Sequence, residues 1–182
     1  MNKDSFNFLS KLLETPSPSG FEAKIQSVVK KRVSGVADLI EIDVHGNLIA
    51  AINPDAKLKV MLAGHCDQIG MMVTHIDEKG FIYFNQIGGI DPATLPGSKV
   101  VVHTADGPLP GVIGQKPIHL QSADERGKKI ELKRLWIDIG ATSAQEAGKL
   151  VAIGDAATCE LGVIRLGKHA IAATACDDRV GV

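Results

Sequence analysis

Apolar positions at the start of the chain recur at helical intervals. Phe6, Leu9, Leu12 and Leu13 fall on one helical face, and Thr15-Pro16-Ser17-Pro18-Ser19-Gly20 ends that helix because two prolines force a loop. Ser19-Gly20-Phe21-Glu22 has capping-box spacing, and Phe21, Ile25, Val28, Val29 and Val33 follow at helical intervals, predicting a second helix to about Arg32. The texture then turns strand-like. Asp38 to Asp43 and Leu48 to Ile52 flank the turn-rich His45-Gly46-Asn47 and predict a β-hairpin, with His45 a turn residue. The apolar run Val60-Met61-Leu62-Ala63 then predicts a buried parallel strand ending at His65.

After Gly70 short strand-like runs follow one another: Met71 to Ile76, Phe81 to Phe84, Lys99 to His103, Gly111 to Ile113 and Ile130 to Ile137. Turn signals such as Glu78-Lys79-Gly80, Gly88-Gly89, Leu95-Pro96-Gly97, Asp106-Gly107-Pro108 and Glu125-Arg126-Gly127 separate them, the pattern of a small β-barrel or sandwich. Such a pattern fits poorly inside an α/β sheet and predicts an inserted domain. Ser143 to Leu150 reads as a short helix capped by Ser143 with Glu146 three residues on, and Cys159 to Leu166 and Ala170 to Ala175 are expected to return the chain to the first sheet. The resulting division is an α/β domain over 1–70, a β-rich insert over 71–165 and a return segment over 166–182. Asp178-Arg179-Val180-Gly181-Val182 looks like the opening of a helix too short to bury anything, which predicts that more sequence follows.

Composition narrows the function classes. With 182 residues, 45% hydrophobic and 23% charged, the chain can bury a real core. A formal net charge of -1 without a dominant basic run argues against nucleic acid or an anionic membrane as partner, and Lys30-Lys31-Arg32 reads as a solvated helix end. No apolar core of a signal peptide and no membrane span is visible, so a cytoplasmic location is expected. The three cysteines Cys66, Cys159 and Cys176 lack CxxC spacing and support neither a disulfide framework nor a zinc knuckle.

The chemistry-bearing residues sit at Gly64-His65-Cys66-Asp67 and Cys176-Asp177-Asp178-Arg179. His65 stands where a metal ligand belongs in an open α/β sheet, and His-x-Asp spacing lets a carboxylate at Asp67 accept the second ring N–H and fix the tautomer. On spacing alone the same residues also read as an ordinary loop, and Asp177-Asp178-Arg179 as a solvated ion-pair cluster. A Cys adjacent to a ligand faces away from the metal, so neither Cys66 nor Cys176 is expected to ligate.

Several motifs occur together and in order: Thr15-Pro16-Ser17-Pro18-Ser19-Gly20-Phe21-Glu22, Asp43-x-x-Gly46-Asn47-Leu48, Gly64-His65-Cys66-Asp67-Gln68-Ile69-Gly70, Gly111-Val112-Ile113-Gly114-Gln115-Lys116-Pro117-Ile118-His119, Ile137-Asp138-Ile139-Gly140-Ala141 and Asp177-Asp178-Arg179-Val180-Gly181. In this the chain resembles the glutamyl/leucyl (tetrahedral) aminopeptidases, family forty-two of the metallopeptidases, over an N-terminal portion. The resemblance implies an incomplete zinc-peptidase-like α/β catalytic domain interrupted by a β-barrel-like dimerisation domain, with dimers assembling into a dodecamer. It also implies two divalent metal ions per subunit, zinc, cobalt or manganese, with His65 ligating one, Asp177 bridging both and Asp67 orienting His65. Cys66 and Gln68 stand where family members often carry Met or Ala and Glu, which makes Cys66 an expected oxidation-prone neighbour of the metal. The Glu pair supplying the general base and a ligand, a further acidic ligand and the last His have no counterpart here.

The activity implied is removal of N-terminal residues from short peptides, with this chain inactive by itself. A non-catalytic assembly module with a degenerate metal site is the alternative. A glycoside hydrolase, of the kind labelled cellulase, is a third, disfavoured because sugar platforms need aromatic side chains and these are only 4% of the chain.

Overall fold

The computed structural model describes residues 1–124, 126–160 and 162–182. Two units emerge, Met1–Gln68 with Leu161–Val182, and Ile69–Glu160.

In the first unit, α1 (Lys3–Leu13) is capped by the Asn2 side chain, which accepts from the Ser5 N–H, and buries Leu9, Leu12 and Leu13. Its last turn leaves no carbonyl idle, as a helix end must not when buried: Glu14 N–H donates to the Ser10 carbonyl and Thr15 Oγ1 to that of Lys11. The α2 helix (Ala23–Val33) begins later than its capping spacing suggests, because Ser19 and Glu22 are otherwise engaged. Ser19 donates its hydroxyl to Asp67, and Glu22 accepts from the Gly20 N–H at 2.7 Å. The helix buries Ile25 and ends in Lys30, Lys31 and Arg32, cations suited to its negative pole.

The expected hairpin forms from β1 (Leu39–Ile42) and β2 (Leu48–Ala51), paired antiparallel. Asp43 makes its turn: one carboxylate oxygen accepts from the N–H groups of His45 and Asn47, the other from the Asn47 side-chain amide, while Gly46 takes φ +86°. The strand expected at Val60-Met61-Leu62-Ala63 does not form. No strand pairs with it among the described residues, and an apolar run without a ladder has nowhere to bury its side chains; Met61 and Leu62 are 88% and 93% exposed.

The second unit is a closed barrel of six strands, β3 (Gly70–Ile76), β4 (Ile82–Ile87), β5 (Lys99–Thr104), β6 (Gly107–Gln115), β7 (Leu135–Asp138) and β8 (Ala156–Cys159), in the order β3-β4-β7-β6-β5-β8. Alternating residues fill it, among them Met71 and Val73, Ile82 and Phe84, Val100 and Val102, Ile113, and Leu135 and Ile137. Gly111 and Gly114 sit opposite β7 because a Cβ at either would lie 2.7 Å from Ile137 Cγ2 or 2.5 Å from the Trp136 indole nitrogen. Strand β6 carries Pro108 and Pro110 where only β5 pairs with it, so no ladder donor is lost on the other side. Strand β7 begins at Leu135, later than the run from Ile130 suggests, because Leu132–Arg134 forms a 3₁₀ turn. The α3 helix (Ala144–Leu150) starts as predicted: Ser143 accepts from the Glu146 N–H, and the Glu146 carboxylate takes the N–H and hydroxyl of Thr142.

The return segment behaves differently from expectation. The run from Cys159 to Leu166 divides, Cys159 closing the barrel on Val100, while β9 (Ile164–Leu166) and β10 (Ala170–Ala172) pair with each other and join no earlier sheet. Within these expectations, Leu161 and the Glu125 end of the Glu125-Arg126-Gly127 turn lie outside the described residues. A final helical turn, α4 (Cys176–Arg179), contains Asp177 in extended conformation at φ -91° and ψ 109°.

Candidate metal centre

Three of the side chains singled out in the sequence lie side by side in the first unit. His65 Nδ1 is 2.9 Å from Asp67 Oδ1, and His65 Nε2 is 3.2 Å from Asp177 Oδ1. The second Asp67 oxygen accepts the Ser19 hydroxyl, so Asp67 is held at both ends before it orients the imidazole. Close backbone approach lets the two segments meet: a Cβ on Gly64 would lie 3.0 Å from the Gly181 carbonyl group.

Two carboxylates, one at each ring nitrogen, demand positive charge on or beside His65. Burial alone would lower the imidazolium pKa, but the Asp67 hydrogen bond and charge, and then those of Asp177, outweigh it and hold the pKa above the usual histidine value. With Nδ1–H committed to Asp67, the Nε2 lone pair and Asp177 Oδ1 converge on one point where a proton or a cation belongs. Their 3.2 Å separation matches the edge of about 3.3 Å of a tetrahedron with arms of about 2.0 Å, the length of zinc bonds to nitrogen and oxygen. The donor set therefore fits a divalent ion. Asp177 is 97% exposed at its side chain, which leaves its second oxygen open to another ion. Among the described residues no cluster of three or more His, Cys, Asp or Glu side chains suited to a metal is present.

Two other histidines have partners within the barrel unit. His75 stacks beside Tyr83, with ring centroids 5.9 Å apart, and His103 Nε2 meets Thr158 Oγ1 at 2.9 Å. His45 is a turn residue as expected, but with Glu22, Lys30 and Asn47 it also lines a groove of about 620 Å³ that reaches His65 and Asp67. Cys66 is half-buried. Burial, followed by the charge of Glu22, pushes its thiol pKa up, which disfavours the thiolate form. Sequence reading also missed Ser19 as the partner of Asp67, since its spacing to Glu22 suggested a helix cap, and it did not foresee that the Arg179 side chain is fully buried.

A family model described as M42 glutamyl aminopeptidase matches residues 46–182. The lysyl aminopeptidase of Pyrococcus furiosus is 37% identical over 178 residues, covering 96% of this chain and 51% of the relative. Among solved structures, the TET aminopeptidase from the marine sediment archaeon Thaumarchaeota archaeon SCGC AB-539-E09 superposes with a TM-score of 0.93 at 33% identity, covering 98% of this chain and 50% of that one. The TET1 peptidase of Pyrococcus horikoshii, described as assembling into a tetrahedron or a large octahedral shell, gives 0.87 at 34% identity, covering 97% of this chain and 52% of that one. The fold of this chain is thus one shared with solved aminopeptidases. The chain belongs to the M42 glutamyl aminopeptidase family, and it spans about half the length of the relatives it matches.

Proposed function

We propose that this chain carries the first half of a di-metal aminopeptidase that removes N-terminal residues from short peptides. In this reading His65 would hold one ion, Asp177 would serve two, and Asp67 orients His65. The carrying observation is the imidazole held between two carboxylates, with Nε2 and Asp177 Oδ1 facing one point. Zinc, cobalt and manganese all suit such a donor pair, so availability decides among them. Divalent ions held there would supply an acidified water and polarisation of the scissile carbonyl. Asp67 fixes the imidazole so that Nε2 presents its lone pair, Ser19 fixes Asp67, and the exposed Asp177 carboxylate offers two anionic oxygens at one position.

Within this reading the general base and remaining ligands come from polypeptide outside the 182 residues, and the barrel unit pairs subunits in a dimer that builds a dodecamer. No helix among the described residues is long and apolar enough to cross a membrane, which suits a cytoplasmic enzyme acting on peptides. Family membership and the scarcity of aromatic side chains both weigh against the glycoside hydrolase reading.

The test is hydrolysis of amino-acyl anilides with Zn²⁺, Co²⁺ or Mn²⁺, by the chain alone and by the protein isolated from its source, whose intact mass is compared with 19.3 kDa. The expected result is a mass near twice that value, chelator-sensitive activity in the source protein abolished by His65→Ala, and none in the chain alone. Chelator-sensitive release by the chain ending at Val182 refutes the division of the site between two halves. A source protein of 19.3 kDa without activity leaves the assembly module as the better reading.

A further inference from the structure

Among the described residues Arg179 is the largest fully buried side chain, and no carboxylate among them forms an ion pair with it. A guanidinium carries five N–H bonds, and here each finds a neutral acceptor. Nε donates to the Cys66 carbonyl at 3.0 Å, Nη1 to the Leu12 and Leu13 carbonyls at 2.7 and 3.3 Å, and Nη2 to Ser17 Oγ and Gln68 Oε1, both at 2.5 Å. Leu12 and Leu13 end α1, where the last carbonyls of the helix and the negative pole of its dipole stand in for an anion. The acceptors come from two stretches far apart in sequence. One is the α1 end and the loop after it; the other is the segment immediately after His65.

The connectivity gives this fork a purpose. Arg179 follows Asp177 by two positions, and Cys66, whose carbonyl it grips, directly follows His65. Ser17 Oγ also donates to that carbonyl at 2.8 Å, and Pro18 bridges Gln68 in parallel register. We propose that Arg179 is a positioning residue: its buried guanidinium clasps the segment bearing Asp177 to the segment bearing His65 and Asp67, so that the two donor groups meet. The clasp rests on the metal-site reading for its purpose and on the hydrogen bonds alone for its existence. Lysine cannot replace it, since an ammonium has three donors and no planar fork.

The test uses the full 182-residue chain with Mn²⁺ alone as probe, followed by paramagnetic broadening of the amide signals of residues 65 and 177, and by hydrogen exchange. Arg179→Met is expected to require about tenfold more Mn²⁺ for the same broadening, the scale of supporting-residue effects on metal affinity, with barrel signals unchanged and Arg179→Lys recovering only part of the loss. Unchanged Mn²⁺ binding in Arg179→Met overturns the proposal. If Arg179→Met does not fold, as read from Trp136 fluorescence and circular dichroism, Ser17→Ala decides: weaker Mn²⁺ binding supports the clasp and unaltered binding overturns it. If the parent chain shows no broadening at either residue, the metal-site reading fails, and exchange judges the clasp separately. Joint loss of protection over 62–68 and 176–182 in the variant then supports the clasp, and retained protection overturns it.

Discussion

Ser19 illustrates how single residues choose partners here. As a helix cap its hydroxyl would contribute about 1 kcal/mol, whereas a hydrogen bond to a carboxylate contributes roughly 1.5–3 kcal/mol. Asp67 therefore wins Ser19 from α2, and the helix starts without a side-chain cap. Asp43 shows the same economy in reverse, since its carboxylate finds all its partners within its own turn. The Asn47 side-chain and backbone N–H bonds, with that of His45, lower its pKa below the ordinary aspartate value against the opposing effect of desolvation. A lowered carboxylate pKa means that the turn gains stability from ionised Asp43 above the ordinary aspartate range and loses it as pH falls through the lowered value. The amide signals of His45 and Asn47 are thus expected to titrate together in acid, at a midpoint below that of an unstructured aspartate, and Asp43→Asn is expected to abolish that titration. Independent midpoints for the two amides would show that Asp43 does not organise the turn.

At the level of elements, what the sequence made legible was local. Helix α1, helix α3, the β1–β2 hairpin and most barrel strands announce themselves through caps, turn residues and periodicity, all decided within a few positions. His65 and Asp67 were legible for the same reason, being two residues apart. Asp177 was not, because nothing near it in sequence points to a partner 112 positions away, and only the resemblance joined them. Arg179 read as part of a solvated ion-pair cluster on spacing and as a support of the site or a helix cap by resemblance, and neither reading could reveal five acceptors gathered from remote segments. Val60-Met61-Leu62-Ala63 failed as a strand on the same account: its apolar character specifies burial but not the neighbour that supplies it. Leaving a Leu or Met exposed forgoes about 1.5–3 kcal/mol per side chain. This segment is therefore expected to drive self-association of the chain, and Met61→Lys with Leu62→Lys to suppress it in sedimentation velocity without altering the barrel. A parent chain that stays monomeric at high concentration would contradict this.

Viewed as a whole, the molecule places its most regular architecture in Ile69–Glu160, where a closed barrel leaves no sheet edge and a single continuous core is formed. That segment is expected to fold when expressed alone, with cooperative thermal unfolding and dispersed amide signals; a molten Ile69–Glu160 would show that its core depends on the rest of the chain. Its first and last strands are neighbours, Met71 facing Ala157 and Met72 facing Ala156. Paired antiparallel residues lie about 5 Å apart, so a folded barrel hands back the two ends of its chain almost where it received them. For the polypeptide that must still bring His65 and Asp177 together, the barrel shortens the loop to roughly a quarter of its length in sequence, saving about 1 kcal/mol of closure entropy. A barrel that forms early thus acts as a knot tied in a long thread, and the order of folding becomes part of how a split constellation finds itself.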